Sequence, residues 1–336
     1  MSAQHRPAFL ITIDTEGDNL WSAPREITTQ NSRFLPRFQQ LCERLALKPT
    51  WLTNWEMVEC PVYREFAKDC LARGTAEVGM HLHAWNNPPI KPLTADDYTH
   101  LPYLVQFPER VMRDKIACIT DRLEDVFGVK MLSHRAGRWA FNETYARLLV
   151  EHGYRVDCSV TPHVLWVHDD GRIPSQVDYR DFPDTAYFMD PQDISRASAA
   201  SSLLQLPVTI LDRPRTGLLK VAERLAGLHA LPRRVLNRLS PTAHWLRPDG
   251  HNRGRMIDIV ETSIGEGRDY VEFMLHSSEF MPGGSPRFSS ERSIERLYDD
   301  LEALFEVANQ RCIGLTLAEY RERVAVTSSG LTARAA

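Results

Sequence analysis

Residues 77–86 read EVGMHLHAWN. Side chains alternate along a strand, so His81, His83 and Trp85 fall on one face and Met80, Leu82 and Ala84 on the other. A helical pattern, YREFAKDCLARG (63–74), precedes the stretch and is stopped by Gly74. Asn86-Asn87-Pro88-Pro89 follows it and ends any strand there. A helix feeding a strand that ends in polar side chains is the repeating unit of a parallel α/β sheet.

The same rhythm extends in both directions. AFLITID (8–14), PTWLTN (49–54), KMLSHRAG (130–137) and YRVDCSV (154–160) predict strands. FLPRFQQLCERLAL (34–47), PERVMRDKIACITDRLEDVFG (108–128) and NETYARLLVEHG (142–153) predict helices between them. Further on, LLQLPVTIL (203–211) and YVEFMLHSSE (270–279) predict strands, and SSERSIERLYDDLEALFEVANQ (289–310) a capped helix. The spacing implies one domain over 1–325, an open parallel sheet or a barrel, with a disordered Ser/Thr/Ala-rich tail at 326–336. Residues 217–255 are expected to be a helical, basic insertion. Its Arg224, Arg233, Arg234 and Arg238 offer a face for peripheral contact with a membrane or an anionic glycolipid.

Composition narrows the classes of function. The chain has 336 residues, 43% hydrophobic and 25% charged, with a formal net charge of −4, which gives no electrostatic case for nucleic acid. Six cysteines without a CxxC pair predict reduced thiols. The N-terminal stretch lacks a signal-peptide pattern, and no apolar run reaches the ~18 residues of a membrane span, so the expected location is the cytoplasm.

In parallel α/β folds, ligands gather where strands end. The first strand ends in Asp14-Thr15-Glu16-Gly17-Asp18 and the third in His81 and His83. The next contributes His134, Arg135 and Arg138, the fifth Asp157, and the late strand His276 followed by Glu279. A carboxylate with two imidazoles is a common catalytic zinc set that leaves one position for water, and a second carboxylate can remove that water's proton. An arginine keeps a neighbouring carboxylate ionised. A histidine at a strand end can give a proton to a leaving group. Trp85 and Trp139 could stack on a sugar ring. Gly283-Gly284 belong to no phosphate-binding pattern.

These motifs, in this order, resemble the NodB-homology polysaccharide deacetylases (carbohydrate esterase family 4), and more closely their WalW-like subgroup. ITIDTEGD, EVGMHLHAWNNPP, SHRAGRW, GYRVDCSVTP and VEFMLHSSEFMPGGSP carry the resemblance, which spans roughly residues 8–320. It implies a distorted (β/α) barrel with fewer than eight units. It also implies hydrolysis of an N-acetyl group on an amino sugar of a surface polysaccharide or glycolipid precursor. By the same resemblance, Asp14 is the base held by Arg135, Glu16, His81 and His83 hold a divalent metal, most simply zinc, and His276 is the acid with Asp157 orienting it. Trp85, Arg138, Trp139, Asp157 and Glu279 are the expected substrate contacts.

Two departures from the family pattern leave alternatives. The usual adjacent aspartates are replaced by Asp14-Thr15-Glu16, so Asp14 is an alternative ligand. The usual histidine four residues after the first is Trp85, so His134 or His163 could complete the set with one of the pair. The competing functions are a non-catalytic carbohydrate-binding protein on the same fold and a different metal-dependent amidohydrolase. The oligomeric state is not set by the sequence.

Overall fold

The computed structural model describes residues 6–22, 26–166, 177–217, 220 and 242–332. Strand β1 (Ala8–Thr15) is buried along its whole length and forms the spine. The chain then alternates through α1 (Leu35–Arg44), β2 (Pro49–Thr53), α2 (Trp55–Glu59), α3 (Pro61–Ala72) and β3 (Glu77–Leu82). After α4 (Asp97–His100) come α5 (Glu109–Phe127), β4 (Ser133–Ala136), α6 (Glu143–Glu151) and β5 (Val156–Asp157). The irregular third holds β6 (Tyr187–Asp190), β7 (Asp193–Ala197), β8 (Leu204–Gln205), β9 (Ile210–Asp212) and β10 (Ala243–Trp245). The chain closes with α7 (Arg253–Gly265), β11 (Tyr270–His276), α8 (Glu291–Arg311), β12 (Ile313–Leu315) and α9 (Leu317–Thr332).

The ten-stranded sheet has the order β11-β1-β2-β3-β4-β5-β8-β6-β7, with β12 also pairing β1. From β11 to β8 every pairing is parallel, as short strands separated by helices require. The curl is closed by irregular chain. Val208 N donates to Val160 O (3.1 Å), Leu246 N to Thr209 O (3.0 Å), and Met274 N to Leu246 O (3.3 Å). The result is the expected distorted (β/α) barrel.

Alternation along β1 explains what fills it. Phe9, Ile11 and Ile13 belong to the large core that includes the helices' apolar faces. Ala8 and Leu10 join Leu52, Val156, Leu204 and Leu206 in a second core. Thr12 and Asp14 continue that second face toward the strand's carboxyl end, where the packing changes from apolar to ionic. The covering helices bury one stripe each. In α5, Met112, Ile116, Ile119, Leu123 and Phe127 recur at helical spacing, and Gly128 ends the helix at φ 69°.

Four expectations change. The strand foreseen at 203–211 divides into β8 and β9, because Pro207 has no N–H to offer a ladder. The insertion foreseen as helical over 217–255 contains β10, where Trp245 pairs with Ile210 and Ala243 with Asp212; residues 221–241 lie outside the described residues. The strand at 270–279 stops at His276, and Ser277–Phe280 forms a 3-10 turn. Of the tail foreseen over 326–336, α9 continues to Thr332, and residues 333–336 lie outside the described residues. Among the described residues, no helix is long and apolar enough to cross a membrane, and all six cysteines are free thiols.

Candidate active site

Strand register assembles the site. Asp14 is paired with His276, and His81 with Arg135. Neighbours across a parallel sheet share a face, so four chemistry-bearing side chains point into the same end of the barrel.

Glu16, His81 and His83 converge just beyond β1 and β3, and all three are buried. His83 Nε2 lies 3.0 Å from Glu16 Oε2 and 3.2 Å from His81 Nε2, and His81 Nε2 lies 3.6 Å from Glu16 Oε2. His81 Nδ1 donates to the carbonyl of Arg135 at 2.9 Å, which fixes the tautomer and leaves the Nε2 lone pair facing the other two groups. A tetrahedral zinc with bonds of about 2.0–2.1 Å keeps its ligand atoms roughly 3.3 Å apart. The separations here match that, and the donor set of one carboxylate and two imidazoles suits zinc. His83 lies one residue past the strand, yet the chain remains extended enough to bring it beside His81.

Burial works to raise the pKa of Glu16, but the His81 and His83 imidazoles against it and the neighbouring His276 outweigh it and hold the carboxyl well below the usual range. Ser277 Oγ donates to Glu16 O at 3.0 Å and lies 3.0 Å from Glu16 N, pinning the loop. Glu56 braces the same loop from behind. It accepts from Gly17 N (2.7 Å) and from Asn86 Nδ2 (2.6 Å), and burial lifts its pKa to about 7.

Asp14 sits beside this trio on a different partner. Arg135 Nη1 donates to Asp14 Oδ1 at 2.6 Å. Arg135 Nη2 donates to Thr12 Oγ1 (2.7 Å) and Glu272 Oε1 (2.5 Å), and Nε donates to Cys158 O (3.1 Å). Burial would raise the pKa of Asp14, but Arg135, with His81 and His276, more than offsets it and lowers the value. The Asp14 carboxylate is thereby committed to Arg135 through one oxygen, while the other lies 3.7 Å from His276 Nε2. His276 Nε2 is also 3.9 Å from Glu16 Oε1, and the Trp21 ring meets the imidazole edge-on at 4.9 Å.

Other expected site residues fall elsewhere. His134 lies on the opposite face of β4 from Arg135. It is fully buried, with Nδ1 donating to Asp157 Oδ1 (2.7 Å) and Nε2 accepting from Tyr145 Oη (2.8 Å). Burial keeps it neutral, and it is not part of the trio. Asp157 therefore orients His134 rather than His276, and with no exposure it cannot touch a substrate. His163 faces Asp184 at 3.8 Å. Glu279 is buried behind His276 rather than open to substrate.

Trp139 is also buried. It stacks near-parallel to Trp166, meets Trp245 edge-on, and lies under the Arg135 guanidinium at 4.8 Å. Trp85, half-buried, packs between His83 and Tyr98. Arg138 takes a left-handed φ of 55° and lies over the Tyr98 ring at 5.0 Å. The exposed aromatic surface at the mouth is Trp21, at 43%.

Sequence reasoning passes over Thr12, Glu56, Arg247 and Glu272. Glu272 leaves one legible signal, an acid inside the otherwise apolar YVEFML, two alternations from His276. Arg247 leaves none.

No protein-family model and no curated protein matches the chain. Solved structures do. A Parabacteroides distasonis protein provisionally described as a glycoside hydrolase/deacetylase is 12% identical with a TM-score of 0.56, over 96% of this chain and 72% of that one. The Puue allantoinase is 12% identical with a TM-score of 0.51, over 94% and 88% of the two chains. A Mycobacterium smegmatis protein provisionally described as a polysaccharide deacetylase is 14% identical with a TM-score of 0.49, over 98% and 94%. At these identities the likeness to the first two shows the fold alone, a distorted (β/α) barrel; the chemistry rests on the residues.

Proposed function

We propose that the chain is a metal-dependent deacetylase that hydrolyses an N-acetyl group on an amino sugar. What carries the reading is the convergence of Glu16, His81 and His83, whose ligand atoms lie within 4.8 Å of one another, with Asp14 and His276 beside them. A divalent cation on the trio, zinc by its donor set, supplies polarisation of the acetyl carbonyl and acidification of a water.

The chain's own groups divide the proton work. Asp14 Oδ2 accepts a proton from the attacking water, while Arg135 on Oδ1 keeps the carboxylate ionised and aimed. Water oxygen adds to the acetyl carbon. His276 Nε2 gives a proton to the sugar nitrogen as the C–N bond breaks, so acetate and a free amine leave. Trp21 offers a face for the sugar ring, and Trp85 and Arg138 line the approach.

The DTEGD and HLHAW forms further support the WalW-like subgroup. The substrate is then a surface polysaccharide or a glycolipid precursor, met in the cytoplasm.

The test is acetate release from N-acetylhexosamine conjugates by protein whose zinc content is measured in the same sample. Turnover that Asp14→Asn abolishes while zinc is retained is the expected result. No release from such glycans by protein carrying a full equivalent of zinc overturns the reading in favour of a carbohydrate-binding protein.

A further inference from the structure

We infer that Arg247 and Glu279 form a positioning pair for His276, replacing the Asp157 contact that the sequence motifs suggest. The inference rests on the reading of His276 as the proton donor.

Glu279 stands three residues after His276, and the 3-10 turn Ser277–Phe280 folds its carboxylate back over the strand end. One oxygen, Oε2, accepts from His276 N (3.1 Å) and Arg247 Nη2 (2.9 Å), and lies 3.2 Å from His276 Nδ1. Only 1% of Glu279 is exposed, so this oxygen has protein partners rather than substrate. Because main chain and ring of His276 meet the same oxygen, a ring rotation that turns Nδ1 away breaks that ring contact. The orientation held is the one that presents Nε2 to Asp14 and Glu16.

Arg247 arrives by a separate route. Its neighbour Leu246 is locked into the barrel seam through Thr209 and Met274, and Asn252 Nδ2 donates to Arg247 O at 2.7 Å. Burial works to raise the pKa of Glu279, but Arg247 and His276 outweigh it and bring it to about 2, so the carboxylate is an anion. Arg247 Nη2 also lies 3.2 Å from His276 Nδ1.

A guanidinium only donates, and a carboxylate only accepts. A protonated Nδ1 therefore donates to Glu279, and a bare Nδ1 accepts from Arg247. The ring has a partner at Nδ1 in either case, and Nε2 keeps facing the site before and after it gives up a proton. This is a positioning role, since neither residue reaches the reacting atoms.

The experiment uses the full chain with Glu279→Gln, Glu279→Asp, Arg247→Lys and Arg247→Met. Its readouts are kcat, KM, zinc content and long-range 1H–15N spectra of the histidine rings, with His276→Gln assigning the His276 signals. Glu279→Gln should lower kcat about 100-fold, with KM and zinc content little changed. Glu279→Asp and Arg247→Lys should recover part of the loss that Glu279→Gln and Arg247→Met show. In the spectra, the wild-type Nδ1 proton should be lost or redistributed in Glu279→Gln. An unchanged His276 tautomer in Glu279→Gln, or a loss confined to KM, overturns the pair. The spectra need no turnover. The expected tautomer shift in Glu279→Gln, found together with a wild type that releases no acetate, therefore counts against the deacetylase reading and leaves the pairing intact.

Discussion

Asp14 and Glu272 are held by the two amino groups of one guanidinium. Arg135 reaches Asp14 Oδ1 at 2.6 Å and Glu272 Oε1 at 2.5 Å, and neither Arg135 nor Glu272 has any exposure to solvent. One cation thus serves two acids inside the barrel, and the acids are not equivalent. Asp14 is driven below its ordinary pKa, whereas burial drives Glu272 up to about 8 against the pull of Arg135 and Thr12.

Removing the shared cation should be severe. Arg135→Met leaves a buried carboxylate without its counter-charge, and breaking a buried pair from one side costs about 3–5 kcal/mol. Urea unfolding of the variant should show that loss, together with lost turnover. A change below ~1 kcal/mol would mean that water replaces the guanidinium without penalty.

Glu272 makes stability depend on pH in a stated direction. Its ordinary pKa is 4.5 and its folded value is about 8, so between those limits the folded chain holds a proton that the unfolded chain has released. Stability from this group is full below pH 4.5 and is lost as pH rises toward 8. Glu272→Gln mimics the protonated acid and should lack the decline. Thermal melts at several pH values should show wild type falling relative to Glu272→Gln across that window and levelling above it. Parallel curves would remove Glu272 as the cause.

Gly137 is where two loops touch. A Cβ there would lie 2.4 Å from Leu82 O and 2.7 Å from His83 Nδ1, closer than any real contact. Gly137→Ala should push His83 out of the trio and weaken zinc affinity about 10–100-fold, the usual cost of disturbing the groups that orient a ligand. Competition with a zinc-binding dye measures this. Unchanged affinity would place His83 outside the metal set.

Tyr145 is the hydroxyl partner of His134. Tyr145→Phe leaves His134 Nε2 without its hydroxyl donor and should cost about 1–3 kcal/mol of stability. Zinc stoichiometry should not move, since His134 lies on the outer face of β4. A drop in bound zinc would return His134 to the ligand set.

Much of this site is readable in the chain because parallel strands concentrate polar residues at one end. Asp14, Glu16, His81, His83, Arg135 and His276 all stand at or just beyond strand ends, and a period of two assigns their faces. The same period explains His134, which alternation sends to the helix side while Arg135 turns inward. What escapes the reading depends on closure in three dimensions. Arg247 reaches His276 only because irregular chain around Thr209 and Leu246 seals the curl. From the sequence Asp157 is the residue expected to orient His276 and Glu279 a substrate contact, whereas the 3-10 turn Ser277–Phe280 folds Glu279 against the imidazole.

The change from apolar to ionic filling along the barrel interior ties inheritance to architecture. In a lineage without the proposed reaction, His276 at the rim, 14% of its side chain exposed, has less of the fold resting on it than Arg135 has. Arg135 is different, because its loss strands charge at the centre of the fold. A descendant that has abandoned the reaction should therefore still carry Arg135 with Asp14, or have exchanged Thr12, Asp14, Arg135 and Glu272 together for aliphatic side chains of matching volume.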